Sequence, residues 1–329
     1  MSGMGIQCLG FDTSNYTTSA AVFGDGTAQN KGRLLDVPAG TLGLRQSGAV
    51  FQHVKRLHLM VMALRDEGFL QSIAAVGASD RPRAVEGSYM PCFLVGAGQG
   101  QALAAALGVP FFPCSHQQGH IAAAAWSAGH EELLDRPHLA WHLSGGTTEL
   151  LLVQPEGANV KASKLGGTSD ISAGQLIDRA GVLLGLPFPA GKALDGLYEG
   201  GGPVKPFPVK VNDGIFSLSG MENQVKALAA SGGSKTDVAR FVLDTVSDTV
   251  ARATRAAQER YPGLPVLCSG GVASNRRLRE VMSERCGALF ARPEYSTDNA
   301  LGVAILAHRA LSAGAMQEEF PHGTKIDPI

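Results

Sequence analysis

The sequence predicts an α/β protein built from two copies of one unit, and three observations carry that expectation. Apolar runs of strand length alternate with helical patterns along most of the chain, the order that gives layered α/β architectures. Residues 9–23, LGFDTSNYTTSAAVF, align without gaps on residues 139–153, LAWHLSGGTTELLLV: Leu9 falls on Leu139, Ser14 on Ser144, Thr17-Thr18 on Thr147-Thr148. Each segment is an apolar strand, a small hydroxyl-rich turn and a second apolar strand. Any two β-hairpins share some of this pattern. The alternative is a duplicated unit whose turns leave backbone N–H groups free to converge on an anion. The third observation is VLCSGGVASNRRLR, residues 266–279, which reads as strand, glycine turn and helix start. Glycines there allow close backbone approach, and a helix N-terminus favours an anion or a polar ring edge.

Taken in order, the pattern predicts a strand over 6–11, a short strand at SAAVF, and a helix from about Ala49 to Asp66. Strand IAAVGAS and a small-residue helix near VGAGQGQALAAALGV come next, and PFFPCS leads into a helix starting at the segment SHQQGH. Strands return at LAWHLS, TELLLV and VKASKL, then a helix near ISAGQLIDRAGVLLGL and a long one over roughly Thr236 to Tyr261. Strand PVLCSG, helix NRRLREVMSERC, strand ALFAR and helix DNALGVAILAHRALSAG complete the chain.

The 329 residues have room for two ordinary domains, and 44% hydrophobic with 17% charged residues is the composition of a packed globular protein. A net charge of -1 provides no global basic field toward nucleic acid or acidic membranes, so RNA contact would need a local patch or partner proteins. The five cysteines (Cys8, Cys92, Cys114, Cys268, Cys286) form no C-x-x-C pair, which suits a reducing compartment. The opening MSGMGIQCLGFDTS has no basic region followed by an apolar core, and no window approaches ~18 uninterrupted apolar residues. The expectation is a cytoplasmic protein without a membrane span.

Two histidines, His116 and His120, stand one helical turn apart, so both imidazoles can face one cation. Such a pair is also common on ordinary surfaces. Gln117, where zinc proteases of the H-E-x-x-H type carry their glutamate, cannot accept a proton near neutral pH. A third ligand is needed, and Asp298 in YSTDNALG is a candidate that reads equally well as a helix N-cap. Asp178 lies on an otherwise apolar helix, either paired with Arg179 or another neighbour, or accepting hydrogen bonds from ribose hydroxyls. Asp195 admits the same ribose role, with Gly191 letting a ring approach the backbone. The run Arg276-Arg277 with Arg279 reads as a solvated helix face.

These pieces stand in an order that resembles the TsaD family, formerly called O-sialoglycoprotein endopeptidases: H-x-x-x-H, SGG-x-T, a G-x-x-x-D helix, SGGV-x-x-NR-x-LR and TDN. The resemblance implies duplicated actin/sugar-kinase/Hsp70-like (ASKHA, RNase H-like) domains with a cleft between them. The expected division is 1–137 and 138–329, the last helix (298–313) packing back on the first. It implies a tRNA N6-adenosine threonylcarbamoyltransferase with one divalent metal, iron or zinc, on His116, His120 and Asp298. It also implies that His142, Leu143, Ser144, Gly145, Gly146, Asp178, Gly191, Asp195 and Asn275 bind the substrate, threonylcarbamoyl-AMP or an adenine nucleotide. Implied partners are tRNA, a smaller paralogue of the same fold (TsaB-like) and a P-loop ATPase (TsaE-like).

The chain departs from the family pattern at several acidic positions. Thr-Ser-Cys-Asp-Glu is Thr13-Ser14-Asn15-Tyr16-Thr17 here, and SGG-His-Thr is SGG-Thr147-Thr148. Asp-Asp-Ala-Ala-Gly-Glu is Asp170-Ile171-Ser172-Ala173-Gly174-Gln175, and Pro-Gly-Gly-Pro is Pro189-Ala190-Gly191-Lys192. A second expectation is therefore a catalytically altered nucleotide- and metal-binding paralogue acting as scaffold or regulator. A metalloprotease is a third, opposed by Gln117.

Overall fold

The computed structural model describes residues 6–14, 16–37, 44–200 and 204–315. Asn15, and the first five residues of the N-terminal stretch read above, lie outside them. Strands β1 (Gln7–Asp12), β2 (Thr17–Gly24) and β3 (Thr27–Leu34) open the chain, followed by α1 (Gln46–Asp66), β4 (Ile73–Arg81), α2 (Phe93–Leu107), β5 (Phe111–Ser115) and α3 (His116–Ser127). Next come β6 (His138–Leu143), β7 (Thr148–Glu156), β8 (Asn159–Thr168), α4 (Ala173–Leu183), α5 (Gly191–Leu197), β9 (Val211–Asn212) and β10 (Ile215–Phe216). The chain continues through α6 (Ser219–Ala230), α7 (Lys235–Arg260), β11 (Val266–Ser269), α8 (Arg276–Cys286), β12 (Leu289–Phe290) and α9 (Leu301–Ser312). Two compact units result, one of residues 1–122, 157–159 and 298–329, the other of 123–156 and 160–297. The division falls inside α3, earlier than 137/138.

In the first unit the strand order is β3-β2-β1-β4-β5. β1 is antiparallel to β2 and parallel to β4, which is parallel to β5. The alternation of β1 explains how both faces are covered. Leu9 and Phe11 pack with Leu57 and Leu64 of α1 and Val95 and Ala104 of α2. Cys8 points the other way, with Ala75, Phe112 and Ala307 of α9. A Cβ at Gly10 would lie 2.5 Å from the Ala304 nitrogen and 2.7 Å from the Ala300 oxygen. Only glycine lets α9 lie this close on β1, and this contact sets where the residues just before α9 end up.

In the second unit the order is β12-β11-β6-β7-β8-β10-β9. Its five strands β8-β7-β6-β11-β12 repeat the third-second-first-fourth-fifth order of the first unit. The hairpins agree residue by residue: Leu9 pairs with Val22 and Asp12 with Ser19, while Leu139 pairs with Leu152 and His142 with Glu149. The ungapped alignment read from the sequence therefore predicts the register. Trp141, fully buried, anchors this core and donates its indole N–H to Thr254 Oγ1 at 2.8 Å. The Val238, Val242, Val246, Val250 face of α7 is buried in the same cluster.

Elements absent from the sequence reading are β3, α5, α6 and the β9–β10 hairpin. β3 is a polar strand at the sheet edge, so it lacks an apolar pattern. Its turn carried a signal all the same: Asp25 (φ 51) and Gly26 (φ 71) form the Asp-Gly left-handed pair that two-residue hairpins favour. Asp213 (φ 48) and Gly214 (φ 77) repeat it between β9 and β10.

Candidate functional site

Helix α3 starts where it does because Ser115 and Gln118 cap it reciprocally. Ser115 N donates to Gln118 Oε1 at 2.8 Å and Gln118 N to Ser115 Oγ at 3.2 Å, a capping box of the S-x-x-Q form. His116 is then the first helical residue and His120 the fifth, one turn on, so their rings meet. His116 Nε2 lies 2.9 Å from His120 Nε2. Asp298 Oδ1 is 3.6 Å from the first and 3.3 Å from the second.

Asp298 does not cap α9. The N-cap position of that helix is Ala300, with no side-chain cap, and Asn299 Oδ1 accepts from Leu301 N at 3.1 Å in a local turn just ahead of the helix. The other Asp298 oxygen accepts from Thr17 Oγ1 at 3.4 Å. Three donor atoms of two imidazoles and one carboxylate, mutually within 4.8 Å, match the donor set and spacing of ligands about 2.0–2.2 Å from one divalent ion. The residues present fit the metal that the sequence expectation assigned to them.

A fourth residue joins this cluster, and the sequence reading missed it. Asp12, at the end of β1 and 2% exposed, sits with Oδ2 2.6 Å from His116 Nδ1. Burial opposes charge on the imidazole, but the charge and hydrogen bond of Asp12, and then the charge of Asp298, outweigh it and lift His116 to about 9. A cation at Nε2 would take the place of that proton.

The second unit contains a pocket of ≈ 580 Å³, within the range that holds a nucleotide-sized ligand. Gly145, Asp178, Gly191, Asp195 and Asn275 line it, together with Lys192 and others that the sequence reading did not assign. His142, Leu143, Ser144 and Gly146 are not on its lining, and the Leu143 side chain is fully buried in the core. The turn and α4 are in close contact. A Cβ at Gly174 would lie 2.5 Å from Gly145 Cα, and Ser172 Oγ donates to the Gly145 carbonyl at 2.6 Å.

Asp178 does not pair with Arg179, which binds Glu222 instead. Asp178 Oδ1 accepts from Ala190 N at 2.8 Å, and its side chain faces the pocket region with a second oxygen to offer. Asp195 is more fully occupied. Its Oδ1 accepts from Asn275 Nδ2 at 2.7 Å and its Oδ2 from Arg276 Nε at 2.9 Å, so it braces α5 against the start of α8. Arg276 is thus tied to the pocket wall rather than simply solvated. Asn275 caps α8 through Leu278 N at 3.0 Å.

The departures acquire structural roles. Gln175 completes a capping box with Ser172 at the start of α4. Ile171 packs on the core of the second unit. Asp170 accepts from Leu218 N at 2.8 Å and Ser219 N at 3.2 Å; burial opposes its charge, but these bonds and the Ser217 hydroxyl hold its carboxyl well below the usual range.

Two α/β units of the same strand order define a protein of the actin/sugar-kinase/Hsp70-like class, here with a His/His/Asp cluster in the first unit. Solved structures with this fold include component A of Acidaminococcus fermentans (R)-2-hydroxyglutaryl-CoA dehydratase, 18% identical, covering 94% of this chain and 99% of that one at a TM-score of 0.55. Full-length HypF in its phosphate- and nucleotide-bound form is 14% identical, over 95% of this chain and 47% of that one, with a TM-score of 0.61. The activator of the Clostridium difficile 2-hydroxyisocaproyl-CoA dehydratase with bound ADPNP is 12% identical, over 95% and 99%, with a TM-score of 0.52. At these identities the likeness is one of fold.

The sequence model described as TsaD, tRNA N6-adenosine threonylcarbamoyltransferase, matches residues 49–305, and the chain belongs to that family. It is thereby a transferase of tRNA threonylcarbamoyladenosine formation in general terms. The matched span begins after the first hairpin, where Ser14 to Thr17 depart from the family pattern. Among the described residues, no helix is long and apolar enough to cross a membrane.

Proposed function

We propose that this chain carries the threonylcarbamoyl group from threonylcarbamoyl-AMP to the exocyclic amine of the adenine beside the anticodon of tRNA. The observation that carries this reading is the meeting of Asp298 with both histidines in a chain of this family. The adenine N6 attacks the carbonyl carbon of the mixed anhydride, the bond from that carbon to the phosphate oxygen breaks, and AMP leaves as N6 gives up a proton. A divalent ion, iron or zinc, held by His116, His120 and Asp298, supplies Lewis-acid polarisation when bound.

The protein's own residues do the rest. Gly145 and Gly191 allow close approach of the nucleotide, Asp178 accepts from a ribose hydroxyl, and Asn275 with Asp195 keeps the pocket wall in place. Of the turn His142 to Gly146, Gly145 lines the pocket and contributes its backbone N–H. With net charge -1, tRNA affinity depends on partner subunits, because phosphate contacts supply much of such affinity. We assign these to a smaller paralogue of the same fold and a P-loop ATPase, acting in the cytoplasm. In the first unit, α1 exposes Phe51, Val54, Leu59 and Met62, and α2, with no charged residue, exposes Leu94 and Leu107. This apolar surface is assigned to the paralogue.

One observation favours the second reading, a scaffold without transfer activity: Ile171 and Gln175 serve packing and capping where the family pattern has acids. A reconstituted assay separates the two. Protein, partner subunits, unmodified tRNA and threonylcarbamoyl-AMP are combined, and digested nucleosides are read by mass spectrometry. Threonylcarbamoyladenosine that disappears in His116→Ala supports transfer. No product, with a family member of the usual acidic pattern active in parallel, supports the scaffold.

A further inference from the structure

We propose that Asp12 is a positioning residue for the metal site, holding His116 in the tautomer that carries its proton on Nδ1 and so turning Nε2 toward the cation. This rests on the reading that His116, His120 and Asp298 hold a metal, and it adds a residue outside that ligand set. A deprotonated carboxylate only accepts hydrogen bonds, so the 2.6 Å contact requires His116 Nδ1–H to donate to Asp12 Oδ2. With Nδ1 committed, the Nε2 lone pair is the one directed at His120 Nε2, 2.9 Å away. Two imidazole lone pairs facing at that distance repel unless a proton or a cation lies between them.

Asp12 is itself held in place. Its Oδ1 accepts from Ser14 N at 2.8 Å and from Ser79 Oγ at 3.1 Å, Ser79 being on the neighbouring strand β4. Both Asp12 and Ser79 are buried, at 2% and 0% exposure, so the carboxylate has no room to swing away from the imidazole. The duplication inside the chain provides an independent comparison. In the aligned hairpins Asp12 corresponds to His142, so the second unit keeps the strand and the turn but has no carboxylate there. The carboxylate occurs in the unit that has the histidine helix. A ligand histidine whose other nitrogen donates to a carboxylate is oriented and made more basic, and loss of such a partner typically weakens metal binding 10–100-fold.

The test is Zn2+ affinity of stripped protein by chelator competition, with the Co2+ visible spectrum as a second readout. Asp12→Asn can present its NH2 to the ring and force the proton onto Nε2. We expect it to weaken Zn2+ about 10–100-fold and to change the Co2+ spectrum. Asp12→Glu, which again only accepts, should recover part of the affinity. Equal affinity and an equal spectrum in wild type and Asp12→Asn overturn the proposal. Should Asp12→Asn fail to fold, nitrogen NMR of the wild-type Zn2+ protein decides: Nδ1 protonated with Nε2 metal-bound supports it, and the reverse overturns it. A wild type that takes up neither Zn2+ nor Co2+ removes the metal reading and this inference with it, an outcome distinct from an Asp12→Asn that binds normally.

Discussion

At Asp298 two roles compete that a sequence cannot separate, capping and ligation, and the helix start decides between them: Ala300 is the N-cap position of α9, without a side-chain cap, and Asp298 Oδ1 lies with the histidines. Because the Asn299 side chain bonds the Leu301 backbone N–H while Asp298 Oδ1 lies against the histidines, the two residues should separate under mutation. Asp298→Ala should lose the bound divalent metal, measured by elemental analysis, while keeping its thermal transition. Asn299→Ala should keep the metal and lose about 1 kcal/mol of stability with its hydrogen bond to Leu301 N. His53 provides a pH prediction at the same scale. It is fully buried, its Nδ1 2.8 Å from Thr18 Oγ1, and burial pushes it down to about 4 despite the opposing charge of Asp12. The unfolded chain takes up this proton near pH 6.5 and the folded chain only near 4, so stability is full above 6.5 and falls as pH drops between the two. Urea titrations across that window should show a loss on the order of 3 kcal/mol, largely absent from a folded His53→Gln variant.

Among the elements, α3 and α9 do most to build the metal cluster. The Ser115–Gln118 box determines that His116 is the first helical residue, and Ser115→Ala should cost about 1 kcal/mol of stability, read by thermal unfolding. Gly10→Ala should be more severe. Its new methyl would meet backbone atoms of α9 at 2.5 and 2.7 Å, so α9 must lift and carry Asp298 away, and both metal content and melting temperature should fall. On the opposite face of that sheet, Phe51→Asp should leave the melting temperature unchanged and abolish co-purification with the smaller paralogue, since Phe51 is 63% exposed and supports no core. The elements also show where the sequence was legible. β1, β2, β6, β7 and α7 carry dense apolar patterns and appear where they were expected. β3 and the β9–β10 hairpin are polar or only two residues long, and the Asp-Gly turns beside them were the remaining signal.

For the whole molecule, the duplication was legible because one repeat of apolar spacing and turn residues encodes both hairpins, down to their register. The first unit is closed by the last helix of the chain. A chain ending at residue 297 should therefore lose hydrogen-exchange protection in β1, β4 and β5 while retaining it in β6, β11 and α7. The candidate site was legible in part. Spacing along a helix brought out His116 and His120, and glycine turns brought out Gly145, Gly191 and Asn275. Asp195 was read as a ribose acceptor, but its two oxygens bind Asn275 and Arg276, partners 80 and 81 residues away that no local pattern announces.

The sequence by itself determined the α/β class, the paired hairpins and the family, because strand periodicity, turn chemistry and helix caps act over a few residues. Tertiary structure alone decided that Asp12, 104 residues from His116, meets its Nδ1, and that Asp298, 281 residues from Thr17, reaches the same cluster. Those meetings depend on α9 seating against Gly10 on β1, a close packing of backbones whose result cannot be computed from either segment taken alone.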